Sequence, residues 1–202
     1  LKSRQIKIHV VRSSFNFVGM VMWFWALGHI ELAKGIAIHF TMPLFIVLLA
    51  VIFLKERIGP WRITAMLVGF GGVLVILRPG MIDTGLPELA ILSSAMLYGG
   101  AVVFLKKVVE SETPAAVTFY TNLFMALGCL IPTILLWAPM TTADILPILG
   151  LGICGLFAPF MVAVALRKAD ASLIAAFDFL RLPFTALFGF LLFAEVPDEF
   201  VW

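Results

Sequence analysis

The sequence predicts an all-α integral membrane protein, a polytopic helix bundle with about seven transmembrane helices. Three observations support this fold class. Of the 202 residues, 62% are hydrophobic and 13% are charged, whereas soluble domains carry about 25% charged residues. The apolar residues form continuous runs near the roughly 20 residues that a spanning helix needs. These runs lack the period-two alternation of a transmembrane β-barrel, so the spans are predicted to be helices.

Seven apolar runs follow one another, and each is bounded by a short link. The first follows a basic N-terminal segment, and the later links contain Lys55-Glu56-Arg57, Arg78-Pro79-Gly80, Lys106-Lys107, Pro139 with Asp144, and Arg167-Lys168. Because the links are short, consecutive helices must be antiparallel neighbours. The predicted spans are 10–29, 32–54, 61–77, 88–105, 114–137, 145–166 and 171–194.

The basic residues lie mostly on one side of the predicted bundle. Cytoplasmic loops of membrane proteins carry an excess of Lys and Arg. One side collects only Lys34 and Arg78, while Arg181 lies inside the last span. The other side, which we therefore predict to be cytoplasmic, collects eleven: Lys2, Arg4, Lys7, Arg12, Lys55, Arg57, Arg62, Lys106, Lys107, Arg167 and Lys168.

An internal repeat with an offset of 139 residues relates the second and seventh spans. The aligned pairs include Ala26 with Ala165, Glu31 with Asp170, His39 with Asp178, Phe40 with Phe179, and Glu56 with Glu195. The copies are five spans apart, and an odd number of crossings inverts the second copy. Inverted repeats are typical of secondary transporters, which bind substrate near the midplane. An old duplication that serves only folding is the alternative.

Several segments resemble the EamA-type drug/metabolite transporter superfamily. They are Ala26-Leu27 through Ala37-Ile38, Phe40–Phe45, Leu54–Ile58, Gly69–Val73, Arg78–Gly80, and Ala165-Leu166 through Pro183 to Glu195. The resemblance covers nearly the whole chain and marks the superfamily but not the substrate. It implies export or exchange of small organic metabolites by alternating access across the bacterial inner membrane, without ATP. Amino acids, nucleosides and S-adenosylmethionine are the kinds of metabolite that it suggests.

The resemblance also implies ten helices in two inverted repeats of five. By alignment, the seven spans correspond to the third to ninth helices, so three of the ten are expected outside this sequence. Residues 1–80 are then the C-terminal part of the first repeat, with three helices. Residues 81–202 are the second repeat without its last helix, with four.

Charged residues inside a span are the first candidates for substrate or proton binding. A charge at the bilayer centre costs about 2.5–3.5 kcal/mol on insertion scales, so it needs a partner or a watery cavity. Asp178 and Arg181 are three residues apart and share one helix face. His39 is the counterpart of Asp178 in the first repeat, and His titrates near neutral pH. A neutralising intrahelical pair and a neutral, hydrogen-bonded His are the structural alternatives.

Further candidates are polar, aromatic or proline residues within the spans. Tyr98, Asn122 and Trp23 are candidates to contact a metabolite, although each also suits an ordinary interhelical contact. Pro43 and Pro183 are candidate hinges, because each removes a helix hydrogen bond. The glycines of the third and sixth spans, Gly69, Gly71, Gly72, Gly150, Gly152 and Gly155, are predicted to allow close helix packing.

The sequence gives little support to functions other than transport. A phosphate-binding Gly-Lys-Ser/Thr loop is missing, which argues against ATP drive. We predict no metal site, no cofactor and no nucleic-acid partner. The expected partners are a small metabolite and the lipid bilayer, and the sequence leaves proton coupling and a homodimer open. A non-transporting scaffold is the first alternative function, and a membrane-embedded enzyme is the second.

Overall fold

The computed structural model describes residues 5–30, 32–77, 85–137, 139–181 and 184. All regular structure in these residues is helical, which confirms the predicted fold class. A π-helical turn covers Ala50–Leu54, and a 3-10 turn covers Thr142–Asp144. The α-helices are α1 (Ile6–Leu27), α2 (Leu32–His39), α3 (Met42–Leu49), α4 (Pro60–Leu77), α5 (Leu86–Val109), α6 (Pro114–Leu135), α7 (Ile145–Lys168) and α8 (Ala171–Asp178).

Four of these helices are long and apolar enough to cross a membrane. They are α1, α5, α6 and α7, with mean hydropathies from 1.3 to 2.3. Their bounds agree with the predicted spans 10–29, 88–105, 114–137 and 145–166 to within a few residues. Helix α4 corresponds to span 61–77, and α8 begins span 171–194, most of which lies outside the described residues. The total number of spans stays a prediction.

The predicted span 32–54 is divided into two helices. Helix α2 ends at His39 and α3 begins at Met42, with Phe40 and Thr41 forming a turn between them. The N–H of Thr41 donates to a carbonyl only three residues back, at 3.0 Å. Pro43 has no N–H, so the carbonyl of His39 lacks the donor that a continuous helix would give it. The break therefore lies next to the candidate His39.

Helix α8 matches α2 in length and position within the sequence repeat. Both have eight residues, and their starts at residues 32 and 171 differ by 139, as do their ends at 39 and 178. A turn follows each helix, containing Phe40 in one case and Phe179 in the other. This agreement supports the repeat, while the division into 1–80 and 81–202 stays a prediction.

The main apolar core lies at one end of the bundle. At this end α1, α6 and α8 begin and α5 and α7 end, and most of the predicted cytoplasmic basic residues lie there, so we call it the basic end. Its buried residues are Ile46, Ala50, Val103, Leu105, Val108, Val109, Val117, Ala163, Leu166, Ala171 and Ala175. Packed apolar side chains exclude water from this part of the bundle.

Small residues of α5 let its neighbours approach closely. A Cβ added at Gly99 would lie 3.1 Å from the Cβ of Phe45 on α3, and one at Gly100 would lie 3.0 Å from a ring carbon of Phe15 on α1. The hydroxyl of Ser94 donates to the carbonyl of Gly19 at 2.7 Å and ties α5 to α1. Helix α5 is thus the central element of the bundle.

The opposite end is loosely packed within the described residues. The α7 residues 145–158 are all exposed, as are residues 130–137 of α6 and its following link. A Cβ at Gly150, Gly152 or Gly155 would meet no described atom within 4 Å, so the close packing predicted for these glycines is not found there. At Gly69 the prediction is right, because a Cβ would lie 2.6 Å from the ring of Phe179.

Candidate functional site

A cavity of about 800 Å³ occupies the middle of the bundle. Residues of α1, α2, α5, α6 and α7 line it, together with Phe40 and Met42 at the break between α2 and α3 and Arg181 just beyond α8. Its size is that of pockets that hold small organic ligands, which run from about 300 to 1,000 Å³. The apolar core of the basic end separates it from that end, while the exposed parts of α6 and α7 lie towards the other.

Three predicted residues meet in an aromatic cluster on the cavity wall. The rings of Trp23 and His39 have centroids 4.7 Å apart at an interplanar angle of 62°. The rings of His39 and Tyr98 are 5.5 Å apart at 75°. Edge-to-face pairs of this kind are favourable because ring edges are positive and ring faces negative. The cluster joins α1, α2 and α5, and it presents flat apolar surfaces with polar edges to the cavity.

The polar lining of the cavity includes a fourth predicted residue. Asn122 of α6 is half-buried and lines the cavity, as does Asn16 of α1. A side-chain amide both donates and accepts hydrogen bonds. These residues are therefore able to orient the polar edge of a bound solute.

Asp178 and Arg181 form the predicted pair but play different parts at the cavity. The Nη2 atom of Arg181 lies 3.9 Å from Oδ2 of Asp178. Arg181 lines the cavity, with its guanidinium 5.0 Å from the ring centre of Phe40. Asp178 is not among the residues that line the cavity. Of this pair, only the positively charged Arg181 lines the cavity.

His39 and Asp178 are not hydrogen-bonded to each other. The Nε2 atom of His39 and the Oδ2 atom of Asp178 are both buried, and neither has a hydrogen-bond partner among the described residues. His39 and Asp178 therefore occupy equivalent positions in the sequence repeat but do not form a hydrogen bond with each other. Buried polar atoms without hydrogen-bond partners are rare in native structures, so both atoms are unusual.

Of the two candidate hinges, only one can be located. Pro43 is fully buried at the start of α3, directly after the turn that divides span 32–54. Pro183 lies outside the described residues. A helix break at membrane depth is tolerated where it borders a cavity or other protein, and Phe40 and Met42 at this break do line the cavity.

Arg12 lies inside the bundle and not in a cytoplasmic loop. The sequence groups it with the basic residues of the cytoplasmic side, but it lies inside α1, is 3% exposed and lines the cavity. Without it the count on that side falls from eleven to ten, against two. The signal was present in the sequence, because Arg12 falls within the predicted span 10–29.

A second group of polar residues ties the basic end across the two halves of the chain. Glu56 accepts hydrogen bonds from the backbone N–H groups of Ala171 at 2.9 Å and Ser172 at 3.1 Å, and from the Ser172 hydroxyl at 2.7 Å. Arg62 forms a salt bridge with Asp170 at 2.7 Å. We call Glu56, Arg62, Asp170, Ala171 and Ser172 the latch. Glu56 thereby satisfies donors that the first turn of α8 leaves unpaired.

A third polar cluster joins the start of α1 to the link before α6. His9 is fully buried, and its Nε2 atom lies 2.8 Å from Oε2 of Glu112. The His9 ring also contacts the ring of Tyr120, at 4.9 Å between centroids. The side chain of Gln5 donates to Ser111 at 2.8 Å. These contacts fix α1 at the basic end and do not reach the aromatic cluster.

Comparisons with known proteins agree with this architecture. Residues 2–78 and 85–202 match the EamA-like transporter family. A solved crystal structure aligns with a TM-score of 0.82 at 18% identity, covering 100% of this chain and 73% of its own. At that identity the likeness shows the fold alone.

Several relatives are named as transporters of bacteria. A riboflavin transporter of Vibrio cholerae is 30% identical over 100% of this chain and 68% of its own length. An S-adenosylmethionine uptake transporter of Rickettsia bellii is 28% identical over 98% of this chain and 68% of its own. The pseudopaline exporter CntI of Pseudomonas aeruginosa is 27% identical over 97% and 70%.

These likenesses agree with the apolar helices and the central cavity. They confirm a membrane transporter of small metabolites rather than an enzyme. The chain belongs to the EamA-like transporter family.

Proposed function

We propose that this protein moves small organic metabolites with a planar ring through the central cavity. The observation that carries the proposal is the aromatic cluster of Trp23, His39 and Tyr98 on the cavity wall. Flat heteroaromatic rings stack on such side chains without demanding one particular hydrogen-bond pattern. Riboflavin and S-adenosylmethionine, after which two relatives are named, both contain a flat nitrogen heterocycle.

Transport would alternate between a state closed at the basic end and one closed at the opposite end. The apolar core and the latch support the first state, because both join the early helices to α8. The units that rock would be the two inverted repeats, residues 1–80 and 81–202. Pro43 would act as a hinge, since the helix is already broken beside it.

The basic end would face the cytoplasm of a bacterial inner membrane. Ten basic residues on that side against two on the other support this orientation. A proton is a candidate coupling ion, because His39 and Asp178 each hold a buried polar atom without a hydrogen-bond partner among the described residues. Neither the homodimer nor the coupling ion is needed for the proposal.

Counterflow into proteoliposomes tests the proposal. The solutes are labelled riboflavin, labelled S-adenosylmethionine and a labelled aliphatic amino acid, and we expect exchange of the ring-bearing solutes. Replacing Trp23 by alanine removes an aromatic contact worth about 0.5–1.5 kcal/mol, so KM should rise about 2- to 12-fold.

Trp25→Ala is the matched control. Trp25 lies on the same helix, is 47% exposed and does not line the cavity, so KM should be unchanged. Equal effects of Trp23→Ala and Trp25→Ala would contradict the assigned site. The absence of flux for all solutes would favour a non-transporting scaffold.

A further inference from the structure

Arg12 occupies an unusual position for a charged residue. It lies six residues into α1, about 9 Å along the helix axis from Ile6. Its side chain is 3% exposed and borders the cavity. A charge held inside an apolar helix is unfavourable unless partners or a polar ligand compensate it. The protein therefore retains a cation where packing alone would favour an apolar residue.

The hydrogen-bond partners of Arg12 among the described residues are neutral. Its Nη2 atom donates to the carbonyl of Val117 at 3.3 Å and to the hydroxyl of Thr121, and both acceptors are neutral. Its Nε atom is buried without a partner among the described residues. Within those residues no carboxylate lies within 4 Å of Arg12. Glu112 acts on it only from farther away, and that carboxylate is bound to His9.

The rest of the cavity wall does not supply a negative charge either. Its described lining residues include Arg12, Arg181 and His39 but no Asp or Glu. Arg181 has Asp178 within 3.9 Å to offset it, whereas Arg12 has no such neighbour. A guanidinium is well suited to bind carboxylate or phosphate through paired N–H groups. The Arg12 end of the cavity is therefore suited to an anion.

The positions of Arg12 and Trp23 give the shape of the expected solute. Both lie on α1, eleven residues apart, which is about 16 Å along the axis. The aromatic cluster and Arg12 therefore lie at well-separated levels of the cavity wall. A solute that uses both must be elongated, with a ring at one end and a polar group at the other.

We propose that Arg12 binds an anionic oxygen group, a carboxylate or a phosphate, at the end of the transported solute remote from its ring. Thr121 holds the guanidinium in place, and Asn16 lies on the same helix face one turn farther along α1. This inference rests on the proposed function, because the ring must lie in the aromatic cluster for the anion to reach Arg12.

Paired flavins test the inference on the purified protein in lipid nanodiscs. Riboflavin has a neutral side chain, flavin mononucleotide adds a phosphate, and a flavin with a carboxyalkyl chain adds a carboxylate. Binding is measured by titration calorimetry. We expect the wild-type protein to bind at least one acidic flavin about 10-fold more tightly than riboflavin, and the two acidic flavins distinguish phosphate from carboxylate.

The informative variants are Arg12→Gln and Arg12→Lys. In R12Q the preference for the acidic flavin should vanish while riboflavin affinity changes less than about 3-fold, and R12K should keep part of the preference. Arg167→Gln is the control, because Arg167 is exposed at the basic end and does not line the cavity. Thermal unfolding of each variant checks that it folds.

Two results would overturn the inference. The first is an R12Q protein that keeps the full preference for the acidic flavin. The second is an equal loss of affinity for riboflavin and for the acidic flavins in a folded R12Q protein, which would make Arg12 a structural residue. If the wild-type protein binds neither kind of flavin, the inference fails, and the proposed function fails with it unless the protein exchanges S-adenosylmethionine in proteoliposomes.

Discussion

Replacing Glu56 by alanine should open the basic end of the bundle. The Glu56 carboxylate accepts two backbone N–H groups at the start of α8 and one hydroxyl, at 2.7 to 3.1 Å. Alanine removes all three acceptor contacts, and the N–H groups of Ala171 and Ser172, both fully buried residues, lose their partner. If the halves separate at this end during transport, these bonds stabilise only the closed state.

The expected magnitude follows from these contacts. A hydrogen bond to a charged group contributes about 1.5–3 kcal/mol, and an anion at a helix N-terminus contributes about 0.3–1 kcal/mol. Glu56 is half-buried, and water can replace part of the lost hydrogen bonding. We therefore expect the substitution to reduce the stability of the closed state by about 2–3 kcal/mol in total. The equilibrium between closed and open states should then shift about 30- to 140-fold towards opening.

The assay measures access to the core of the basic end. In a protein whose Cys129 and Cys154 are replaced by alanine, Ala175→Cys places a thiol in that core, where Ala175 is 1% exposed. The rate of its modification by a membrane-impermeant thiol reagent reports the open population. That rate should rise by the predicted factor in Glu56→Ala, and not in Glu110→Ala, which removes an exposed carboxylate at the same end. An unchanged rate in Glu56→Ala would refute the latch.

Two stability predictions follow from packing and hydrogen bonding. Gly69→Val should lower the free energy of unfolding by about 1–3 kcal/mol, because its Cβ would lie 2.6 Å from the Phe179 ring, whereas Gly71→Val, which meets no described atom, should have little effect. Lys106→Met should lower the free energy of unfolding by about 1.5–3 kcal/mol, because the Lys106 ammonium donates to two carbonyls at the end of α7 at 2.8 Å. The control is Lys107→Met, because Lys107 is exposed. Thermal unfolding in detergent measures both effects. Equal melting temperatures for a variant and its control would contradict the corresponding prediction.

Much of the fold could be predicted because its signals are local in sequence. Continuous apolar runs mark membrane helices, since lipid requires each spanning backbone to satisfy its own hydrogen bonds. The spacing of Asp178 and Arg181 placed them on one helix face, and the structure puts their charges 3.9 Å apart. The offset of 139 residues linked α2 to α8, which have equal lengths and matching ends.

The details of the site depend on contacts between distant parts of the chain. The rings of Trp23, His39 and Tyr98 meet only because three helices pack in one rotational register, which no single span encodes. The place of Arg12 in the sequence groups it with the cytoplasmic basic residues, although its side chain is buried and lines the cavity. Glu56 follows the second predicted span in the sequence, but its carboxylate caps a helix that begins 115 residues farther along the chain. Such pairings follow from tertiary packing.

The most direct test of the account is solute protection of a cysteine in the cavity. Ala158→Cys, in the protein without Cys129 and Cys154, places a thiol on α7 where residue 158 is exposed and lines the cavity. If solutes cross through this cavity, a transported ring-bearing solute should slow modification of the thiol. Its half-maximal protective concentration should equal the KM for uptake by the same variant. Modification at an unchanged rate under saturating solute, in a variant that still transports, would contradict the central claim.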